Sequence, residues 1–179
     1  MEMVKEQKKI KNSFLKETIR TIIPTAIFTL LFLYLVGQFA IVCGRSMNDT
    51  LQDGDLVFME KITQRFNTLN RFDIVIFDSN QGSDFIKRII GLPGETVRID
   101  TNGNIYINDK LLQENYGKEV MTYPGIAEYG ITLGDMEYFV LGDNRNNSED
   151  SRFIEVGPIS YYQIRGRVCY SLIPFSKIE

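Results

Sequence analysis

Two patterns divide the chain. Residues 22–42, IIPTAIFTLLFLYLVGQFAIV, run 21 positions without a formal charge. At about 1.5 Å per residue a helix of that length spans roughly 30 Å, the hydrocarbon core of a bilayer. Pro24 falls in the first turn of such a helix, where its missing N–H matters least. A core helix of a soluble protein would carry a polar face over this length, and none is visible. Beyond residue 42 the pattern changes to short apolar runs between turn residues: 56–59, 73–77, 84–90, 95–100, 104–107, 138–141 and 167–172. These read as strands. Asn102-Gly103 predicts a hairpin between two of them, and 91–94 (Gly-Leu-Pro-Gly) is a breaker. Residues 110–135 have weak periodicity and predict an irregular excursion. The fold class is therefore mainly β: an N-terminal transmembrane helix, then an antiparallel, barrel-like β domain.

Charge sets the expected topology. Residues 1–21 carry six Lys/Arg against three Asp/Glu, so the tail is +3 and the rest of a chain totalling −3 carries −6. The excess of basic residues places 1–21 in the cytoplasm, 22–42 across the membrane and 43–179 outside the cell membrane. A cleaved leader fits poorly, because the apolar run exceeds the usual 7–15 residues and no Ala-x-Ala-like site follows. A lipoprotein would need a small residue before its cysteine, and Val42 precedes Cys43.

Composition removes several chemistries. The chain has 179 residues, no histidine and two cysteines. No His-based triad or His-ligated metal site is possible, and two cysteines alone make no structural zinc site. The negative balance argues against nucleic acid as a partner. Catalysis, if present, runs on Ser, Lys, Asp, Glu, Tyr or Cys.

Three clusters could carry it. In the strand 84–90, period two places Phe85, Lys87 and Ile89 on one face and Ile86, Arg88 and Ile90 on the other. If the Lys87 face is covered, desolvation can lower its pKa by about 3 units and make it a neutral general base. If it is open, Lys87 is a solvated edge lysine. In 44–51 (Gly-Arg-Ser-Met-Asn-Asp-Thr-Leu), Gly44 permits a tight turn where N–H groups converge, and Ser46 is a nucleophile if a base lies near. An ordinary polar exit from a membrane helix is the alternative. In 142–152 (Gly-Asp-Asn-Arg-Asn-Asn-Ser-Glu-Asp-Ser-Arg) acidic and basic residues are spaced to pair around a hydroxyl, as in a rigid loop or a polar surface loop. A calcium-loop reading fails, since Arg145 occupies the third ligand position. Ser13-x-x-Lys16 matches a penicillin-binding pattern but lies in the basic tail. Asn48-Asp49-Thr50 and Asn146-Asn147-Ser148 match glycosylation signals that would crowd this same region.

Together, and in this order behind an anchor, the blocks 44–51, 54–61, 71–77, 84–95, 142–152 and 166–176 resemble the bacterial type I signal peptidases, especially the short single-span Gram-positive kind. The resemblance covers nearly the whole chain. It implies a signal-peptidase catalytic domain in which Ser46 attacks the scissile carbonyl and Lys87 is the general base, a Ser-Lys variant of triad logic. It further implies that Ser148 hydrogen-bonds the lysine amine and that Asp143, Arg145, Asp150 and Arg152 hold their loop. The oxyanion hole would use the Ser46 N–H, with Gly44 where some members carry a hydroxyl. By the same analogy Val42, Leu51 and Ile86 line the pockets for Ala-x-Ala before the cut. The implied partners are preprotein signal peptides, the bilayer, and secretion or pilus assembly machinery, with no metal or organic cofactor. A non-catalytic accessory of pilus assembly is the alternative. One departure stands out: the family usually has proline where this chain has Asp49, a carboxylate expected to loosen the turn, repel an oxyanion or raise the Lys87 pKa.

Overall fold

A single helix, α1 (Glu2–Leu35), leads into the first strand. The computed structural model describes residues 2–66, 69–79, 82–117, 119–173 and 175–177. Side chains before Phe14, including Lys5, Lys8, Lys9 and Lys11 of the basic tail, lie outside the described residues, as do those beyond Leu172. Within α1 the stretch Phe14–Leu35 is long and apolar enough to cross a membrane. At 1.5 Å per residue its 22 residues span about 33 Å.

Two expectations change here. The helix begins at residue 2, not near 22, because the tail is rich in Glu, Lys and Gln, good helix formers that continue the same helical run. Pro24 therefore sits deep inside α1 and removes one backbone hydrogen bond there, while the hydroxyls of Thr21 and Thr25 bond back to the carbonyls of Glu17 and Thr21. The helix also stops at Leu35. Residues expected to end the span form strand β1 (Gly37–Ile41), paired with β2 (Leu56–Glu60) from Gly37↔Glu60 to Ile41↔Leu56. Gly37 makes that possible, because a Cβ there would meet the Met59 carbonyl oxygen at 2.4 Å. The chain accordingly divides into Met1–Val36 and Gly37–Glu179.

In the second unit every strand pairing among the described residues is antiparallel. The larger sheet runs β1–β2–β11 (Ile164–Ile173)–β3 (Ile74–Asp78)–β4 (Asp84–Gly91)–β9 (Glu137–Leu141)–β10 (Ile159–Ser160). β12 (Phe175–Lys177) also pairs with β11. A smaller sheet runs β7 (Lys110–Leu111)–β6 (Ile105–Ile107)–β5 (Thr96–Ile99)–β8 (Ile131–Thr132). All seven strand runs read from the sequence are present. The Asn102-Gly103 hairpin joins β5 to β6 with Ile99 opposite Ile105. The excursion is irregular between β7 and β8 except for a short 3-10 turn, Gly125–Ala127. The pattern missed β7, β8 and β10 because two residues show no alternation.

Period two in β3 builds the core. Ile74 and Ile76 enter one cluster with Val42, Met47, Leu51, Val57, Met59 and Val168. Val75 and Phe77 enter another with Ile89, Tyr138, Val140 and Ile164. A third joins the smaller sheet (Val97, Ile99, Ile105, Ile107) to Ile90, Phe139 and Leu141 at the strand ends. The first cluster lies under the loop after β1, so that loop is floored by core. Gly37→Ala should drive a methyl into the Met59 backbone and cost about 1–3 kcal/mol. Chemical unfolding of the full chain in detergent checks it, and an unchanged midpoint would mean that β1 does not depend on this contact.

Candidate active site

Strand β4 puts two basic residues in the interior. It pairs with the whole of β3 through its first five residues (Asp84↔Asp78 to Arg88↔Ile74), whereas β9 covers only Arg88 to Gly91. Among the described residues no strand pairs with the other edge of residues 84–87. Lys87 is nonetheless only 4% exposed and Arg88 is fully buried. The Lys87 Nζ donates to Ser46 Oγ at 2.8 Å and to the Ile86 carbonyl at 3.1 Å, and lies 5.0 Å from the centre of the Phe85 ring. Burial pushes the Lys87 pKa down from 10.5 to about 8, against the opposing pull of Asp150, Glu149 and Asp143. Asp49 is not among these carboxylates.

Ser46 sits in a tight loop between β1 and β2. Gly44 adopts φ +96° and donates its N–H to Asp53 Oδ1 at 2.8 Å. That N–H is thus engaged in the turn. Met47 and Leu51 are buried in the core and pin the loop from below. The N–H groups of Thr50 and Leu51 both bond the Met47 carbonyl. Among the described residues the Ser46 N–H has no hydrogen-bond partner. Asp49 adopts φ +86°, a left-handed conformation closed to proline, whose ring fixes φ near −65°. Asp49 lines a separate polar cleft with Asn48, Glu119 and Asn144.

The 142–152 loop is held by buried ion pairs, one within the loop and two that leave it. Asp143 reaches out of the loop to Arg88, whose Nε and Nη2 donate to its two oxygens at 2.9 and 2.7 Å. The remaining Arg88 donor bonds the Phe72 carbonyl at 2.8 Å, and Tyr116 covers the guanidinium at 3.6 Å. Thr50 Oγ1 donates to Asp143 as well, at 2.5 Å. Asp150 pairs with Arg152 and accepts the Gly142 N–H. Arg152 also donates to the Arg145 carbonyl at 2.6 Å. Arg145 pairs with Glu114 of the irregular excursion and bonds the Gly142 carbonyl. Asn144 clamps the two loops together: its N–H bonds the Ser46 carbonyl and its side chain the Arg45 carbonyl, both at 3.0 Å.

Ser148 departs from expectation. Its Oγ is buried with no hydrogen-bond partner among the described residues, so the bond to the lysine amine is not formed. Close packing on Gly142 explains its position: a Cβ on Gly142 would lie 2.2 Å from Ser148 Oγ and 2.6 Å from the Ser46 carbonyl oxygen. Glycine is required there so that both serines can approach one backbone point.

Ser46 and Lys87 open onto a cleft of about 400 Å³ bounded by Gln38 and Ala40–Met47 on one side and Asp84–Lys87 on the other. Val42 and Ile86 line it. Leu51 does not; it is fully buried in the core beneath. Cys43, an exposed free thiol, also borders the cleft, while Cys169 is half-buried and unpaired. Among the described residues no acidic or thiol cluster could hold a metal ion. Sequence reasoning missed Arg88, Thr50, Asn144 and Glu114. The signal for Arg88 was present, since two adjacent basic residues on a strand with both faces covered need two different fates.

A hydroxyl 2.8 Å from an amine with a pKa of about 8, beside a free backbone N–H, can support proton transfer coupled to nucleophilic attack. Residues 15–173 match the family described as "Signal peptidase, peptidase S26". The chain belongs to this signal peptidase family. Signal peptidase I U of Bacillus subtilis (strain 168) is 38% identical over 158 residues, covering 83% of this chain and 81% of that protein. Signal peptidase IB of Staphylococcus aureus (strain Mu50) is 32% identical over 183 residues, with 92% and 94% covered. A crystal structure of a signal peptidase I from Enterococcus faecalis V583 shares 36% identity, covering 55% of this chain and 95% of that one, with a TM-score of 0.46. The family assignment makes the chain a serine peptidase.

Two predictions concern this signal peptidase fold. Asp143→Ala leaves the buried Arg88 guanidinium unpaired and should cost about 3–5 kcal/mol in chemical unfolding; a loss under 1 kcal/mol would contradict the pairing. Asp49→Pro cannot reach φ +86° and should cost at least about 1 kcal/mol. A thermal midpoint equal to the natural protein's would show that the turn accepts the family residue.

Proposed function

We propose that this chain is a membrane-anchored serine endopeptidase that removes N-terminal signal peptides from secreted preproteins after small-x-small (Ala-x-Ala-like) sites. The observation that carries the reading is the 2.8 Å separation of Lys87 Nζ and Ser46 Oγ, both of which line one cleft.

In the proposed reaction the neutral Lys87 amine takes the Ser46 proton as Oγ attacks the carbonyl, and the Ser46 N–H receives the oxyanion. The intermediate expels the new amino terminus, which takes its proton from Lys87, leaving an acyl ester on Ser46. Water then loses a proton to Lys87 as it attacks the ester; collapse returns that proton to Oγ and frees the signal peptide's carboxylate. Ala40, Val42 and Ile86 supply apolar lining to the cleft, which suits small apolar side chains before the cut. The edge of residues 84–87 that no described strand pairs suits an extended substrate that adds main-chain hydrogen bonds.

The proposed topology places residues 1–13 in the cytoplasm, Phe14–Leu35 across the membrane in a single pass, and Gly37 onward outside. Its support is the basic tail before the span and the apolar outer edge after it. Phe39 and Ile41 of β1, which directly follows the helix in the chain, are 57% and 64% exposed. Tethering substrate and enzyme in one bilayer raises their effective concentration. Secretion or pilus machinery would then be the natural neighbours.

The pH profile tests this. With the base at about 8, cleavage of a lipid-embedded preprotein should rise tenfold per pH unit below pH 8 and level off above it. Ser46→Ala and Lys87→Met should each lose at least about 10²–10³-fold. The same shift has a stability consequence. Because the folded pKa lies below the unfolded one, the charged lysine destabilises the fold fully below about pH 8, and the penalty fades as pH rises toward 10.5. Lys87→Met should therefore gain up to about 3 kcal/mol at pH 7. Undiminished processing by either variant would refute the peptidase reading and favour an accessory role in assembly.

A further inference from the structure

We propose that Asn144 is a positioning residue that aims the Ser46 N–H at the oxyanion. The proposal rests on the reading of Ser46 as nucleophile and goes beyond it.

A trans peptide unit is planar, with its C=O and N–H pointing in opposite directions. The Arg45 carbonyl and the Ser46 N–H belong to one such unit, so whatever holds the first sets the direction of the second. Two donors reach the Arg45 carbonyl. The Asn48 N–H, at 3.1 Å, closes a turn within the nucleophile's own loop and moves with it. The Asn144 side-chain amide, at 3.0 Å, comes from the other loop. The Asn144 backbone N–H also grips the next unit, through the Ser46 carbonyl at 3.0 Å. One residue thus holds the peptide planes on both sides of the nucleophile.

Asn144 is itself fixed to the base. Its neighbour Asp143 takes a fully buried, two-point bond from Arg88, and Arg88 follows Lys87 in β4. The path Lys87–Arg88···Asp143–Asn144···Ser46 therefore sets the general base, the nucleophilic oxygen and the oxyanion donor in one frame. The Ser46 N–H is the donor that matters in this turn, because the Gly44 N–H is engaged by Asp53. Donation to the Arg45 carbonyl also polarises that peptide and strengthens the N–H opposite. Losing one oxyanion donor outright costs about 10²–10³ in kcat; misaiming it should cost part of that.

The test uses the full chain in phospholipid vesicles with a preprotein substrate. Asn144→Ala keeps the backbone bond to Ser46 and deletes only the grip on Arg45. We expect kcat to fall about 10- to 100-fold, KM to change less than twofold, and the pH midpoint to stay where it is in the natural protein. Affinity for a peptidyl boronate, which mimics the tetrahedral state, should fall by the same factor as kcat/KM. A natural kcat overturns the proposal, and so does a loss that appears in KM, or in the pH midpoint, in place of kcat. Should Asn144→Ala fail to fold, the isosteric Asn144→Asp, which sets a carboxylate against the Arg45 carbonyl, must be slower still on the pH plateau; natural activity there also overturns it. Ser46→Ala run in parallel separates the two readings. If it still cleaves, the nucleophile assignment is wrong; if it is dead while Asn144→Ala is fully active, only the role of Asn144 is wrong.

Discussion

Adjacent residues of one strand meet opposite electrostatic environments, and the site depends on that contrast. Arg88 is given a carboxylate with matched two-point geometry, while Lys87 faces a hydroxyl, a carbonyl and an aromatic ring. Three carboxylates pull the Lys87 pKa upward, yet burial outweighs them. The reason lies in how those charges are compensated. Asp143 is neutralised by Arg88 and Asp150 by Arg152, both in pairs almost wholly removed from solvent. Glu149 is exposed, where water screens it. An acidic neighbourhood thus remains compatible with a lysine whose pKa is depressed.

The same ion pairs explain why the two loops hold their places. Buried salt bridges add little net stability, since desolvation offsets the attraction, but they tolerate very few geometries. Arg88, Arg145 and Arg152 each spread their donors over a carboxylate and a backbone carbonyl. The 142–152 loop is thereby tied to β4, to the irregular excursion at Glu114 and to itself. Through Glu114 the excursion serves as a counter-ion support for the loop. The hydrophobic floor of Met47, Leu51 and Val42 fixes the other loop from below. Rigid placement of Ser46 results from a core on one side and a charged network on the other.

Much of this was legible in the sequence, for identifiable reasons. Alternation over four or more residues marks a half-buried strand, so the long strands were readable while two-residue strands were not. Counting uncharged residues merged the apolar helix with β1, since Gly37, Gln38 and Ala40 give no charge to signal the change. What reveals the boundary is a backbone contact between Gly37 and Met59, 22 positions apart. The spacing of acidic and basic residues in 142–152 suggested pairing but not partners. Asp143 and Arg145 both leave the loop, to Arg88 and Glu114, and such long-range choices have no local trace. Ser148 shows the reverse case: the motif contains the hydroxyl, but packing against Gly142 leaves it without a partner.

Asp49 gathers these constraints at one backbone angle. An L-residue at φ +86° is held there only if the chain on both sides leaves no alternative. On one side the Asn48 N–H closes a turn on the Arg45 carbonyl, which Asn144 also holds. On the other, Thr50 bonds Asp143 and Leu51 is locked in the core. The chain must cross from a polar anchor to an apolar one within a few residues, and the left-handed turn at 49 makes that crossing. A short polar residue tolerates this conformation better than a branched one, because its side chain can bond locally. The carboxylate that looked like an electrostatic intruder beside the nucleophile is better understood as the residue type this turn accepts. Its charge bears little on Lys87, whereas its backbone decides where Thr50, and through it Asp143, can stand.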